Sequence, residues 1–224
     1  MNSAESIERN IGELFLDGLT LAVEAELKDD SDADFSASLA RGSLLSSFCL
    51  IEASANVCLE SLAIGGQLGD DIDRIPTLSK LDLYLRLRFK NRKLDRGSFP
   101  FQGAQELKQI RDAFVHPKGH RIVWELMEDG SEVSQSPETK VLQLPKVAAY
   151  FGPEHAIVSL KATHRFLGHF FKDVCRFSPN SVSRLLFSEG PVPPSSELSY
   201  IHLERNVKQW VQKHKIPLGY IRLG

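Results

Sequence analysis

The sequence predicts a mainly α protein: an antiparallel up-and-down helix bundle with an inserted β-hairpin and a C-terminal extension. Three observations lead there. Apolar residues recur at three- and four-residue steps through five long segments. Most connections between those segments are short, which sets neighbouring helices antiparallel. The period switches to two at one place, after residue 120. The bundle spans residues 1–178 with the hairpin inserted at about 120–145, and residues 179–224 form the extension.

Each element has its own signal. Ile7, Ile11, Leu14, Gly18, Leu21 and Ala25 line one face of a helix ending near Lys28. An acidic linker follows. Leu44, Phe48, Ile51, Ala55, Cys58 and Leu62 give a second helix over about 34–63, which Gly65 and Gly66 then end. A third runs from Pro76 to about Phe89, and residues 91–98 read as a loop. From Gln102 a fourth carries Ala104, Leu107, Ile110 and Phe114, and Pro117 and Gly119 stop it. Ile122, Trp124 and Leu126 alternate as in a strand. Asp129-Gly130 is a turn signal, and residues 140–144 are the expected return strand. Ile157, Leu160, His164, Leu167, Phe171 and Val174 mark a last bundle helix from about Pro153 to Phe177. A short helix near 200–214 closes the chain.

Composition excludes several function classes. A net charge of −2 gives no global attraction to nucleic acid or membrane, so any nucleic-acid site must be a local patch. Cys49, Cys58 and Cys175 have no metal-ligand spacing and read as buried thiols of a reducing cytosol. No metal or cofactor is expected. The apolar run 44–62 carries enough polar residues to read as too polar for a bilayer, and the N-terminus lacks a signal-peptide pattern. The expectation is a cytoplasmic protein with no membrane partner.

Chemistry concentrates at Arg111, Asp112 and His116, at the end of the fourth helix. An Arg fork suits phosphate. A histidine can serve as general acid or base near neutrality. On an ideal helix Arg111 and His116 lie roughly 140° apart, so they meet only if the last turn unwinds, which Pro117 favours. Asp112 stands four residues before His116, where a carboxylate can bond the imidazole. Lys118, two residues after His116, is a further candidate substrate-binding cation. A basic run of Arg86, Arg88, Lys90, Arg92, Lys93 and Arg96 precedes this helix and could guide a nucleic-acid backbone; such runs are also ordinary solvated faces. Glu52 and Asn56, one turn apart on the second helix, read as supporting groups of the cleft or as a polar stripe at a helix–helix or dimer seam. His164 reads as a core or interface histidine. Polar groups such as these on apolar faces suit a two-fold homodimer seam.

Residues 111–116, Arg-Asp-Ala-Phe-Val-His, resemble the Arg-x4-6-His motif of HEPN domains (higher eukaryotes and prokaryotes nucleotide-binding). The segment Leu50-Ile51-Glu52-Ala53-Ser54-Ala55-Asn56 is similar to the long helix that packs beside that motif. The resemblance covers about residues 5–177. It implies a compact α-bundle and a metal-independent endoribonuclease of the toxin or host-defence type. Two motifs would share one cleft in a homodimer, and a cognate antitoxin protein would be a partner. Arg111 would hold the scissile phosphate and His116 would move a proton. The family often has Asn after the Arg, where this chain has Asp112. The alternative is a non-catalytic module of the same kind that binds nucleotide, RNA or protein.

Overall fold

The computed structural model describes residues 10–28, 32–117, 119, 122–127, 129, 132–187 and 201–224. These are mainly helical, with one small antiparallel sheet. The helices are α1 (Ile11–Leu27), α2 (Ala33–Glu60), α3 (Gly66–Asp73), α4 (Thr77–Arg88), α5 (Phe99–Val115), α6 (Pro153–Gly168), α7 (Pro179–Phe187) and α8 (Arg205–His214). The strands are β1 (Val123–Leu126) and β2 (Glu132–Gln135).

α2 is the central element, with α1, α4, α5 and α6 all packed on it. Leu44, Phe48, Ile51, Ala55 and Cys58 are buried, as their spacing requires. By length and hydropathy α2 would pass as a membrane span, contrary to the expectation that this run is too polar. Within the bundle, 61% of its most apolar 18-residue window is buried. Small hydroxyl residues let α1 approach closely. Ser36 donates to the Ala25 carbonyl and Ser43 to the Gly18 carbonyl, both at 2.7 Å, which fixes the two helices antiparallel.

The arrangement departs from a plain up-and-down bundle at α4. Thr77 bonds Glu52 and Lys80 bonds Asn56, so α4 runs alongside α2 in the same direction. Residues 61–76 carry the chain back to make this possible, and α3 lies within them. The glycines expected to end α2 in fact open α3, where Gly66 adopts φ +67°. α2 ends earlier, with the Ser61 hydroxyl on the Cys58 carbonyl and Ala63 in the left-handed region at φ +52°. Gly69 is required by space, because a Cβ there would sit 2.8 Å from the Ile64 carbonyl oxygen.

The hairpin forms with a different partner strand. β1 pairs with 132–135, in the register Val123↔Gln135 and Leu126↔Glu132, and not with 140–144. The nearer strand closes a shorter loop at lower entropic cost. Residues 140–144 have another use for their amides. The Glu106 carboxylate of α5 accepts the N–H groups of Lys140, Val141 and Leu142 at 2.8–2.9 Å. Part burial pushes this carboxyl up in pKa, and the donors outweigh that and hold it below its ordinary value. Glu106→Ala leaves those three donors without their acceptor. We expect it to cost about 2 kcal/mol in urea unfolding, with Glu106→Gln recovering part of the loss.

α6 continues through a π-helical turn, His169–Val174, in which the consecutive Phe170 and Phe171 are both fully buried. Residues 179–187 and 201–224, expected as an extension, pack onto the bundle. Trp210, Tyr220 and Ile221 are buried. Glu26 at the end of α1 accepts hydrogen bonds from the Trp210 indole, Lys213 and His214, which ties α8 down.

Candidate functional site

α5 starts three residues earlier than its periodicity indicated, with Pro100 in its first turn where no N–H is needed. Its stripe of Phe101, Ala104, Leu107 and Ile110 is buried, and this anchors the helix. The helix ends as the sequence requires. His116 leaves helical geometry at φ −122°, ψ 70°, while its N–H still reaches the Asp112 carbonyl at 2.9 Å.

Arg111 lines an open cleft of roughly 400 Å³ between α2, α4 and α5, together with Glu52, Asn56, Thr77, Lys80, Lys108 and Asp112. Its guanidinium donates to Glu52 and, at 3.0 Å, to Asp112. It also stacks over the Phe48 ring, 5.3 Å from the centroid. Part burial works against its charge, and the two carboxylates outweigh that and raise its pKa further. Asp112 is likewise pushed up by burial and pulled lower overall by Lys108 and Arg111. Lys80 bonds Asn56 at 2.7 Å and Asp73 at 3.1 Å. The cleft is thus an alternating network in which each cation already has an acceptor.

His116 does not join this network. Among the described residues, no hydrogen bond or ion pair links its exposed ring to Arg111 or Asp112. Asp112 turns back to Lys108, one helical turn earlier, and not forward to His116. Lys108 at i, i+4 from Asp112 was the residue that helical pairing rules could have found. Glu52 and Asn56 do support the cleft. Their partners lie within the chain, as does that of His164, which is fully buried and bonded to Tyr220 at 2.9 Å. Glu52 and Asn56 thus form a polar stripe at the helix–helix seam of α2 with α4 and α5 within one chain.

Comparison with known proteins gives no family: no family model, no curated protein and no solved structure matches the chain. The site is read from its own chemistry. Among the described residues, no three His, Cys, Asp or Glu side chains are grouped as metal ligands.

The basic run divides in two. Arg86 pairs with Asp82 at 3.0 Å, and Arg92 bonds the Cys175 carbonyl at 2.6 Å while stacking on Phe89. These two already have partners within the chain. Arg88, Lys90, Lys93 and Arg96 are exposed, with no acceptor among the described residues. Arg96 shares a second groove with Phe101, Gln105 and Lys108, which adjoins the Arg111 cleft through Lys108. Lys118 lies outside the described residues.

Proposed function

We propose that this chain is a HEPN-like, metal-independent endoribonuclease that works as a homodimer. One observation carries the reading: the open cleft places the Arg111 fork beside Lys108, with one further surface cation, Arg96, in the adjoining groove. A phosphodiester entering the cleft would displace Glu52 or Asp112 from the guanidinium, exchanging one anion for another. In the reaction, the RNA 2′-oxygen attacks phosphorus and the P–O5′ bond breaks. A 2′,3′-cyclic phosphate and a 5′-hydroxyl result. His116 supplies or removes the proton on one of those oxygens, and Arg111 stabilises the phosphorane charge.

The same geometry supports the dimer in this proposal. His116 makes no polar contact with its own Arg111, and on ideal helical spacing the two stand roughly 140° apart, which favours pairing across a two-fold axis over pairing within one chain. Val115, Trp124 and Leu126 leave exposed apolar surface near His116 in sequence, of the kind that marks an interface. Localisation in the cytoplasm and a cognate antitoxin belong to the same proposal.

The second reading is a non-catalytic binding module. Neutralisation of Arg111 by Glu52 and Asp112 favours it. The test is RNA cleavage in excess EDTA, with the product ends analysed. The expected result is persistent cleavage leaving cyclic phosphate, lowered about a hundredfold or more by His116→Ala. RNA bound but never cut, with binding lost in Arg111→Ala, would establish the module instead.

A further inference from the structure

A second surface of α5 bears on how such a substrate lies. Gln102, Gln105 and Gln109 recur along one exposed side of the helix. On an ideal helix His116 falls on that same side, roughly 20° from Gln105 and Gln109, and well away from Arg111. Facing the glutamines across a groove of roughly 370 Å³ are Lys140 and Lys146. None of these five side chains has a hydrogen-bond or ion-pair partner among the described residues. The acid between them, Glu106, is occupied by three backbone N–H groups. With Lys140 and Lys146 against the single Glu106 carboxylate, the groove lining is net cationic and rich in free amides.

Lys146 also borders a second cavity, of roughly 230 Å³, whose other walls include Phe114, Pro117, Val147 and Phe151. This cavity is apolar, partly aromatic, and sized for one planar heterocycle. It opens beside the residue that follows His116 in the chain. An apolar slot with Lys146 at its rim, sharing that residue with a lysine- and amide-lined groove, matches the alternation of base and phosphate in a single strand.

We propose that this groove is the single-strand track of the protein. One nucleobase enters the Phe114–Pro117–Phe151 slot, its neighbouring phosphates lie against Lys146 and Lys140, and the glutamine amides meet the following base edges. The proposal deepens the ribonuclease reading by assigning single-stranded RNA as the substrate class and placing its path along the His116 side of α5.

The test is fluorescence anisotropy with a short oligoadenylate RNA made uncleavable by 2′-O-methylation, and with an abasic oligomer of equal charge. Wild type should bind the base-bearing strand about tenfold more tightly than the abasic one. Phe114→Ala should remove that difference. Lys140→Glu with Lys146→Glu, both exposed positions that do not threaten folding, should weaken both ligands by about tenfold and flatten the salt dependence. Wild-type binding that neither set of substitutions changes overturns the track, while cleavage assays leave the ribonuclease reading standing. Loss of binding in the groove variants, with no cleavage by wild type, supports the track and sinks the nuclease. Failure of wild type to bind either strand overturns the track.

Discussion

Stability is expected to fall steeply as the pH drops below 6.5, through one residue. His164 of α6 is fully buried, edge-on to Phe15 at 5.4 Å and bonded through Nδ1 to the Tyr220 hydroxyl. Its Nε2 has no partner. Burial pulls the imidazole pKa from its ordinary 6.5 to about 3. Burial pushes the Tyr220 phenol far up, so it stays neutral and cannot act as counter-charge. Protonating His164 would place a charged ring in the apolar core with an Nε2–H that has no acceptor.

The folded-state pKa lies below the unfolded one, so between these values the unfolded chain binds the extra proton. The stabilisation is complete above pH 6.5, is lost progressively as pH falls toward 3, and changes no further below that. The full interval corresponds to about 5 kcal/mol, comparable with the whole stability of an ordinary domain. Urea unfolding across pH 7.5 to 4 measures the upper part of that interval, about 3 kcal/mol. His164→Leu combined with Tyr220→Phe removes both polar partners together, so neither is left stranded. The double variant should be near wild type at pH 7.5 and lose markedly less stability on acidification. Parallel curves for the two proteins would show that His164 is not the cause.

The same residues show what the sequence made legible. Periodicity located α1, α2, α4, α5 and α6 because each must bury one stripe, and a buried stripe is a local property of sequence. The direction of α4 was not legible, because it depends on where Thr77 and Lys80 find partners on α2, 24 or 25 residues away. The return strand of the hairpin was misplaced for a similar reason. The apolar pattern Val141, Leu142 and Leu144 is real, and Leu142 and Leu144 are buried, but their loop is organised by Glu106 on another element. α3 and α7 were missed because eight or nine residues carry too few turns for a periodic signal. In the site, Arg111, Glu52 and Asn56 could be placed near one another from their helices. The partner of Asp112 could not be chosen by spacing, since Lys108 and His116 both stand four residues away and only the former extends toward it.

Mixing two inactive variants is expected to restore activity, and this decides how the candidate site is assembled. In one chain Arg111 lines the α2–α4 cleft, whereas His116 sits just past the end of α5 and makes no polar contact with Arg111. If the working pair is Arg111 of one protomer and His116 of its partner, each site needs both chains. Arg111→Ala alone and His116→Ala alone should then each lose about a hundredfold or more. A heterodimer of the two variants contains one site with both groups intact and one with neither. Random reassortment makes half the dimers hybrid, so an equimolar mixture should recover roughly a quarter of wild-type activity. If the pair works within one chain, every chain in the mixture lacks one member and nothing is recovered. Both substitutions are at positions that are half-buried or exposed, and His116 touches no described side chain through a polar contact. His116→Ala should therefore leave the fold intact, and Arg111→Ala should be compared with Arg111→Lys to separate loss of charge from loss of the fork. Purifying the mixture through a different affinity tag on each variant checks that hybrids form. Hybrids that form and stay inactive would overturn the composite site.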